Sequence, residues 1–415
     1  MPFFGKSLTD LRWEDLQELL QEGAEETVRL EFKEQVPDRD EAVKKISGLA
    51  NTFGGYMIVG AREKDGKLVE LPGVPEVPRF DQTLVQWCFE QLYPPLTPLV
   101  SHPIPVDGAK DRFIFVVFVE LSLEAPHFLT KRQGCYIRTD EYSQRFKPQL
   151  ATLAELRYLL DRREVAVQRR NYLVERADHR FESHKARAYK PPKEAPPNPP
   201  SLRVLAIPQF PGVWACDPGA LRLAVKNEQI PARGMHFPDG RPESQPGGVY
   251  LLRPQRVGFS YLELDIEGLI YHRQMLELSK TEDAPRVLLL HLPHVFAWVV
   301  FYARYFTDMY QHLGYNGTLL VEVQLEGVSG LPISKPWSHY GDGTASEPRL
   351  DNVIHTEVAV SADELRTSRA ASLRKLHREL AFASGCAEAF EVGEEAVDTW
   401  LQRGYEFLNW KSVDG

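Results

Sequence analysis

Glu26-Thr-Val-Arg-Leu-Glu31-Phe-Lys33 and, one helix later, Ala50-Asn51-Thr52-Phe53-Gly54-Gly55-Tyr56 are the stretches whose reading decides the N-terminal fold of this 415-residue chain. In the first, Val28, Leu30 and Phe32 alternate with Arg29, Glu31 and Lys33, the period of a half-buried strand. Leading into the second, Val43, Ile46, Leu49 and Ala50 repeat at helical spacing over residues 39–52 until Gly54-Gly55 breaks the helix. Tyr56-Met-Ile-Val-Gly60 then reads as a buried strand.

Working outward, residues 9–22 form an amphipathic helix with Leu11, Leu16, Leu19 and Leu20 on one side, stopped by Gly23. Asp65-Gly66 predicts a hairpin turn. A helix over residues 80–92 ends before Pro94-Pro95, Arg112 to Leu121 is an apolar strand, and Lys131-Arg132-Gln133-Gly134 turns into the strand Cys135-Tyr-Ile-Arg138. Residues 1–150 are therefore expected to be a mixed α/β domain. Residues 151–188 read as one long helix, rich in Arg157, Arg162, Arg163, Arg169, Arg170, Arg176, Arg180, Lys185 and Arg187. It is either a solvated helix face or a phosphate-binding stripe, and the spacing leaves both open. Residues 189–200 are proline-rich and predict a stiff linker and a domain boundary.

Residues 201–415 read as a separate α+β domain, so the chain as a whole is α/β (α+β). Val204–Ile207 is a short strand, 225–248 a Gly- and Pro-rich loop, and Gly258–Ile266 with Leu269–Met275 a hairpin across Glu267-Gly268. A helix follows Pro293 and ends near Gly314. Leu319, Val321, Val323 and Leu325 alternate cleanly, and residues 353–360 form a further strand. Ser361-Ala-Asp-Glu364 is a capping box opening a helix to about Ser384.

Composition narrows the class. Hydrophobic residues are 43% and charged residues 26%, as in a globular protein of more than one domain. The net charge of −9 gives no global field for nucleic acid, so such binding needs a local patch. Cys88, Cys135, Cys216 and Cys386 form no CxxC pair, which argues against a zinc-thiolate site or a disulfide framework and suits a cytoplasmic location. The apolar run Val287–Tyr305 contains His291, Pro293, His294 and Arg304 and is expected to be a strand followed by a buried helix, with no membrane partner. A P-loop is absent. His291 with His294 reads as a helix entry, and Ser338-His339-Tyr340-Gly-Asp342 as a polar loop without a nucleophile elbow.

Candidate chemistry centres on acids. Period-2 geometry places Arg29, Glu31 and Lys33 on one strand face, and Glu26 can fold back toward Glu31. Two carboxylates about 4 Å apart repel by roughly 4 kcal/mol at an effective dielectric near 20, so something must offset them. Mg²⁺ or Mn²⁺ would do so, with Glu63 or Asp65 as a third ligand, and so would Lys33. The same spacing also describes an ordinary wet strand face. Asn51, Thr52, Gly54 and Gly55 are a helix-turn motif that also serves as plain capping. Lys131, Arg132, Tyr136, Arg138, Tyr142, Arg145 and Lys147 supply cations and rings for phosphates and unpaired bases, or else strand core and a solvated turn.

As a set, Glu26, Leu30-Glu31-Phe32-Lys33, Ile46-x-x-Leu49-Ala50-Asn51-Thr52-x-Gly54-Gly55-Tyr56, Ile58-Val59-Gly60 and Tyr136-Ile137-Arg138 resemble the Schlafen-type divergent AlbA (AlbA_2) domain, over roughly residues 7–150. The resemblance implies a metal-dependent endoribonuclease acting on tRNA-like RNA. Glu26, Glu31, Lys33 and Glu63 would be catalytic, and Glu26, Glu31, Glu63 and Asp65 would hold the metal. Arg62 and Glu63 stand where the family has an acidic pair. The family also includes proteins described as ATP-binding or regulatory. One copy of the lobe is present, so a homodimer would supply a second. Three readings follow: an endoribonuclease, with phage defence as one setting; a non-catalytic nucleic-acid or nucleotide-binding regulator with a C-terminal sensor; or an assembly role for the long helix and C-terminal domain.

Overall fold

The computed structural model describes residues 8–131, 134–139, 147–189, 199–212, 216–227, 230–232, 235–238, 241–255, 258–276, 278–280, 288–315, 317–335, 351–367, 369–386 and 391–408. The candidate residues Arg132, Tyr142 and Arg145, the proline-rich residues 190–198 and the Ser338–Asp342 loop lie outside them. The chain divides into two compact units, residues 2–168 and 169–415.

In the N-terminal unit, a 3-10 turn at Leu8–Asp10 leads into helix α1 (Trp13–Gln21), which buries Leu16 and Leu19. Strand β1 (Leu30–Lys33), helix α2 (Arg39–Asn51) and strand β2 (Gly55–Val59) follow. Asp38 caps α2 by accepting from the Glu41 N–H at 2.8 Å. The parallel pair β1–β2 sets Glu31 beside Met57 and Lys33 beside Val59. Strands β3 (Arg62–Lys64) and β4 (Lys67–Glu70) form the expected hairpin, with Asp65 and Gly66 both at positive φ. Helix α3 (Phe80–Gln91), short strands β5 (Leu92–Tyr93), β6 (Leu99–Val100) and β7 (Ile104–Pro105), and the long apolar strand β8 (Phe113–Val119) come next. Strands β9 (Phe128–Leu129), β10 (Gly134–Arg138) and β11 (Pro148–Leu150) complete the set.

Sheet order is β1-β2-β8-β6, with β7 also on β8, and a second sheet runs β11-β10-β9-β5. The first sheet is buried on both faces. Leu30, Phe32, Tyr56 and Ile58 pack with Leu11, Leu16 and Leu19 on one side. Met57, Val59, Phe115 and Val117 pack with Ala42, Val43, Ile46 and Leu49 of α2 on the other. Both faces of β1 are therefore covered, and the wet strand face is not what the structure contains. Glu31 is only 2% exposed.

Helix α4 (Leu153–Ala188) is one continuous rod. Its later residues Leu173, Ala177 and Phe181 belong to a core cluster of the C-terminal unit, with Leu205, Ile207, Tyr261 and Tyr271. The compact units consequently part inside α4, whereas the composition shift marks the proline stretch that follows it.

The C-terminal unit continues with β12 (Ser201–Pro208), α5 (Pro218–Asn227), β13 (Ile230–Ala232), β14 (Met235–Phe237), β15 (Glu243–Gln245), β16 (Gly248–Gln255), β17 (Gly258–Asp265) and β18 (Ile270–Met275). It ends with β19 (Ser279–Lys280), β20 (Leu288–Leu289), α6 (Leu292–His312), β21 (Thr318–Glu326), β22 (Val353–Ser361), α7 (Ala362–Thr367), α8 (Arg369–Ala383) and α9 (Glu394–Leu408). The large antiparallel sheet has the order β15-β16-β17-β18-β12-β21-β22. Residues 225–248, expected as loop, carry β13, β14 and β15, because short pairings can satisfy the backbone without a long apolar pattern. From Leu288 onward the apolar run is strand β20 followed by the buried helix α6, and no helix among the described residues is long and apolar enough to cross a membrane.

The glycine turn after α2 is sterically obligatory. Gly55 has φ 140°, and a Cβ there would lie 2.0 Å from the Arg29 carbonyl oxygen, which accepts from the Tyr56 N–H at 2.7 Å. Gly55→Ala is expected to destabilise the N-terminal unit by about 1–3 kcal/mol or more, read as a lower denaturant midpoint in urea unfolding followed by circular dichroism.

Candidate functional site

Glu31 is placed by β1 with its carboxylate under α2, where three cations reach it. Oε1 is 2.6 Å from Lys45 Nζ and 3.3 Å from Lys33 Nζ, and Oε2 is 2.5 Å from an Arg138 guanidinium nitrogen. Lys33 also pairs with Glu41 at 2.7 Å. Arg138, at the end of β10, donates further to the carbonyls of Thr27 (2.9 Å) and Leu30 (3.3 Å). These carbonyls precede or begin β1, so one guanidinium ties that strand's entry to a residue far along the chain.

Burial by itself would raise the Glu31 pKa, but Arg138 and Lys45 outweigh it and hold the carboxyl below its ordinary value. Burial depresses Lys33, yet Glu41 and Glu31 more than compensate and hold its ammonium above the usual lysine value. Lys45 ends below its ordinary value: burial, with Lys33 and Arg138 beside it, overcomes the attraction of Glu31.

Glu26 lies before β1 and accepts from the Phe32 N–H at 3.1 Å. Its pKa is raised, first by burial and then by Glu31 and Glu63, against the lowering effects of the Phe32 hydrogen bond and Arg138. Glu63 is exposed on β3 and accepts from the Gly66 N–H at 2.7 Å within its own hairpin. Asp65 is exposed at the tip of that turn. Glu26, Glu31 and Glu63 thus share one neighbourhood electrostatically. Among the described residues they do not form a group of three ligand atoms within 4.8 Å of one another. With both Glu31 oxygens engaged by protein cations and Glu63 turned into its hairpin, this arrangement does not fit a three-carboxylate metal site.

The helix-turn motif is architectural. Asn51 is buried, donates to the carbonyls of His127 (3.1 Å) and Tyr136 (2.8 Å), and accepts from the His127 N–H (2.8 Å). Thr52 donates its hydroxyl to the Gly48 carbonyl (2.7 Å) and accepts from the Arg138 N–H (2.8 Å). Arg162 of α4 closes the helix end, donating to the carbonyls of Asn51 (2.8 Å), Thr52 (3.1 Å) and Ser122 (2.6 Å). Burial lowers its pKa to about 10.

Two of the candidate nucleic-acid-binding residues, Tyr136 and Arg138, are buried. Tyr136 is 8% exposed and packs in the core beside α2, with Lys44 Nζ 4.7 Å from its ring centroid. Arg138 is consumed by Glu31, because β10 runs against α2 rather than along a groove. Lys131 and Lys147 are exposed. The α4 stripe is also largely spent. Arg169, Arg176 and Arg180 pair with Glu267, Asp265 and Glu263, and Arg170 donates to the Gln209 carbonyl. Arg157 and Arg163 are exposed.

Sequence reasoning missed Lys45, whose i+4 relation to Glu41 on α2 brings it to the buried side with Lys33's partners. It also missed the pairing of Arg29 with Phe53. The Arg29 guanidinium carbon is 5.5 Å from the Phe53 ring centroid, and that ring is 44% exposed.

Glu31→Gln removes the charge that balances Lys45 and Arg138 in a buried site. It is expected to cost about 3–5 kcal/mol in chemical denaturation. The folded pKa of Glu31 is depressed, so its contribution is present above the unfolded carboxylate pKa and is lost as pH falls through the folded one. Glu26 has the opposite sign: its contribution is present below the unfolded pKa and lost as pH rises through the folded one. Glu26→Gln should leave the pH 7 midpoint equal or higher.

Residues 26–147 match the family described as Schlafen, AlbA_2. No curated protein matches the chain. A crystal structure of the DIP2311 protein from Corynebacterium diphtheriae is similar at 17% identity and a TM-score of 0.25, over 35% of this chain and 27% of that one. The match spans about a quarter of that protein. Residues 26–147, which hold Glu26, the Glu31 network and the Gly54-Gly55 turn, are a Schlafen AlbA_2 domain, and the remainder of the chain is assigned to no family.

Proposed function

We propose that the AlbA_2 domain is a nucleic-acid-binding module that holds RNA, or another nucleic acid, without hydrolysing it, and that residues 201–415 regulate it. The observation carrying this choice is the neutralisation of Glu31 by Lys33, Lys45 and Arg138, which makes the acid a structural hub. A carboxylate already held by three cations has little left to offer a metal ion or a water molecule.

Binding is supported by what remains exposed. Phe53 presents an open ring backed by Arg29, the combination on which an unpaired base stacks. Lys131 and Lys147 are exposed cations that can neutralise phosphates.

A second reading, a Mg²⁺- or Mn²⁺-dependent endoribonuclease on tRNA-like RNA, has one observation in its favour. The Glu26 carboxyl is held above its ordinary value first by burial and then by the charges of Glu31 and Glu63, so the three acids lie within electrostatic reach of one another.

One set of measurements separates the two. Fluorescence anisotropy with labelled single-stranded and tRNA-like RNA is expected to show affinity falling as salt rises. Phe53→Ala should weaken binding by about 1–3 kcal/mol, the worth of one stacked base. Incubation with Mn²⁺ or Mg²⁺ should leave the RNA intact. Metal-dependent cutting that disappears in a folded Glu31→Gln protein moves the assignment to the nuclease, and absence of binding to RNA and to single- and double-stranded DNA alike removes both.

A further inference from the structure

The C-terminal sheet carries a second cluster of metal-ligating side chains, unrelated to the AlbA_2 acids. Strands β21 and β22 pair antiparallel in a register that sets Glu322 directly opposite Glu357 and Gln324 opposite His355. Leu319, Val321, Val323 and Leu325 of β21, and Ile354, Val358 and Val360 of β22, are buried in the main core. Period 2 then puts Glu322, His355 and Glu357 together on the other face. One ligand atom from each lies within 4.8 Å of the other two, the only such group among the described residues.

We propose that Glu322, His355 and Glu357 form a binding site for one divalent transition-metal ion of the Zn²⁺ type. An imidazole nitrogen with two carboxylates suits Zn²⁺, Ni²⁺ or Cu²⁺, whereas Mg²⁺ and Ca²⁺ favour all-oxygen sets. Three protein ligands on zinc leave a fourth position for water or another donor. Ligand distances near 2.0–2.2 Å require the three groups to draw closer than they stand. His355 and Glu357 are exposed and can do so by rotamer changes alone, because the strand register already brings their backbones together.

Positive charge from Arg203 and Arg170 also reaches Glu322, so a bound cation must outweigh it through direct ligation. Two carboxylates directly opposite across a strand pair repel. This is offset at Glu322 Oε2, which lies 3.7 Å from His355 Nε2 and 3.3 Å from an Arg203 guanidinium nitrogen. Oε1 takes part in neither contact. Arg203 is itself held by Asp178 (2.5 Å) and Gln324 (2.7 Å), so it is anchored beside the cluster and does not fill it.

The test is a Zn²⁺ titration of the full-length protein in competition with a chromophoric chelator. One equivalent of Zn²⁺ per chain is expected, with Mg²⁺ failing to displace it. Loss of an outer-shell partner already costs about 10–100-fold in metal affinity. His355→Ala and Glu357→Gln, both at exposed positions, should therefore each weaken Zn²⁺ binding by about 100-fold or more. Glu63→Gln in the N-terminal unit should change nothing. Absence of stoichiometric Zn²⁺ binding, binding that survives both variants, or binding lost in Glu63→Gln would overturn the assignment.

Discussion

The N-terminal domain depends on one buried ion pair, Glu31 with Arg138. A carboxylate that is 2% exposed tolerates its charge only because counter-charges and hydrogen bonds replace the water it has lost. Arg138 supplies that replacement and also donates to the carbonyls of Thr27 and Leu30, so the start of β1, the end of β10 and the underside of α2 are fixed together. Lys45 and Lys33 complete the balance, and Lys33 passes the interaction outward to Glu41. The Asn51 and Thr52 hydrogen bonds to the same strand reinforce this arrangement from the other end of the helix. A charge pattern that reads as a reaction centre in one dimension is, in three, the bolt between two sheets.

Arginine plays the same part elsewhere. Arg162 gathers the free carbonyls at the end of α2, which a helix must otherwise leave to water or a cap. Along the later turns of α4, Arg169, Arg176 and Arg180 meet Glu267, Asp265 and Glu263. The planar guanidinium, with five donors, can satisfy a carboxylate and a carbonyl at once, and Arg180 does so with Glu263 and Pro246. Most of the later basic residues of α4 are thus the means by which the helix holds its sheet.

The features legible in the sequence are those set by neighbours in the chain. The Gly54-Gly55 break, the Asp65-Gly66 turn and the alternation of β21 all appear where the residues predict them. The Ser361–Glu364 capping box is present with both reciprocal hydrogen bonds at 3.0 Å. Helix α9 could have been found, since Val397, Trp400, Leu401, Gly404, Tyr405 and Leu408 recur at helical spacing and are buried. The fate of Glu31 could not. Its decisive partner lies 107 positions away, and nothing local distinguishes a carboxylate awaiting a metal from one awaiting an arginine. For Tyr136 the sequence left strand core and base stacking both open, and for Arg138 burial is set by the same distant partner, Glu31.

Helix α4 has a practical meaning for anyone dividing the molecule. Leu173, Ala177 and Phe181 are fully enclosed with residues of β12, β17 and β18, so the latter half of the rod is as much a part of the C-terminal unit's interior as its strands are. An excision made at the prolines would strip that unit of a wall and leave its aromatic lining open to solvent. The compact unit begins at Arg169, well upstream of the point where composition changes, so its edge is drawn by packing, not punctuation.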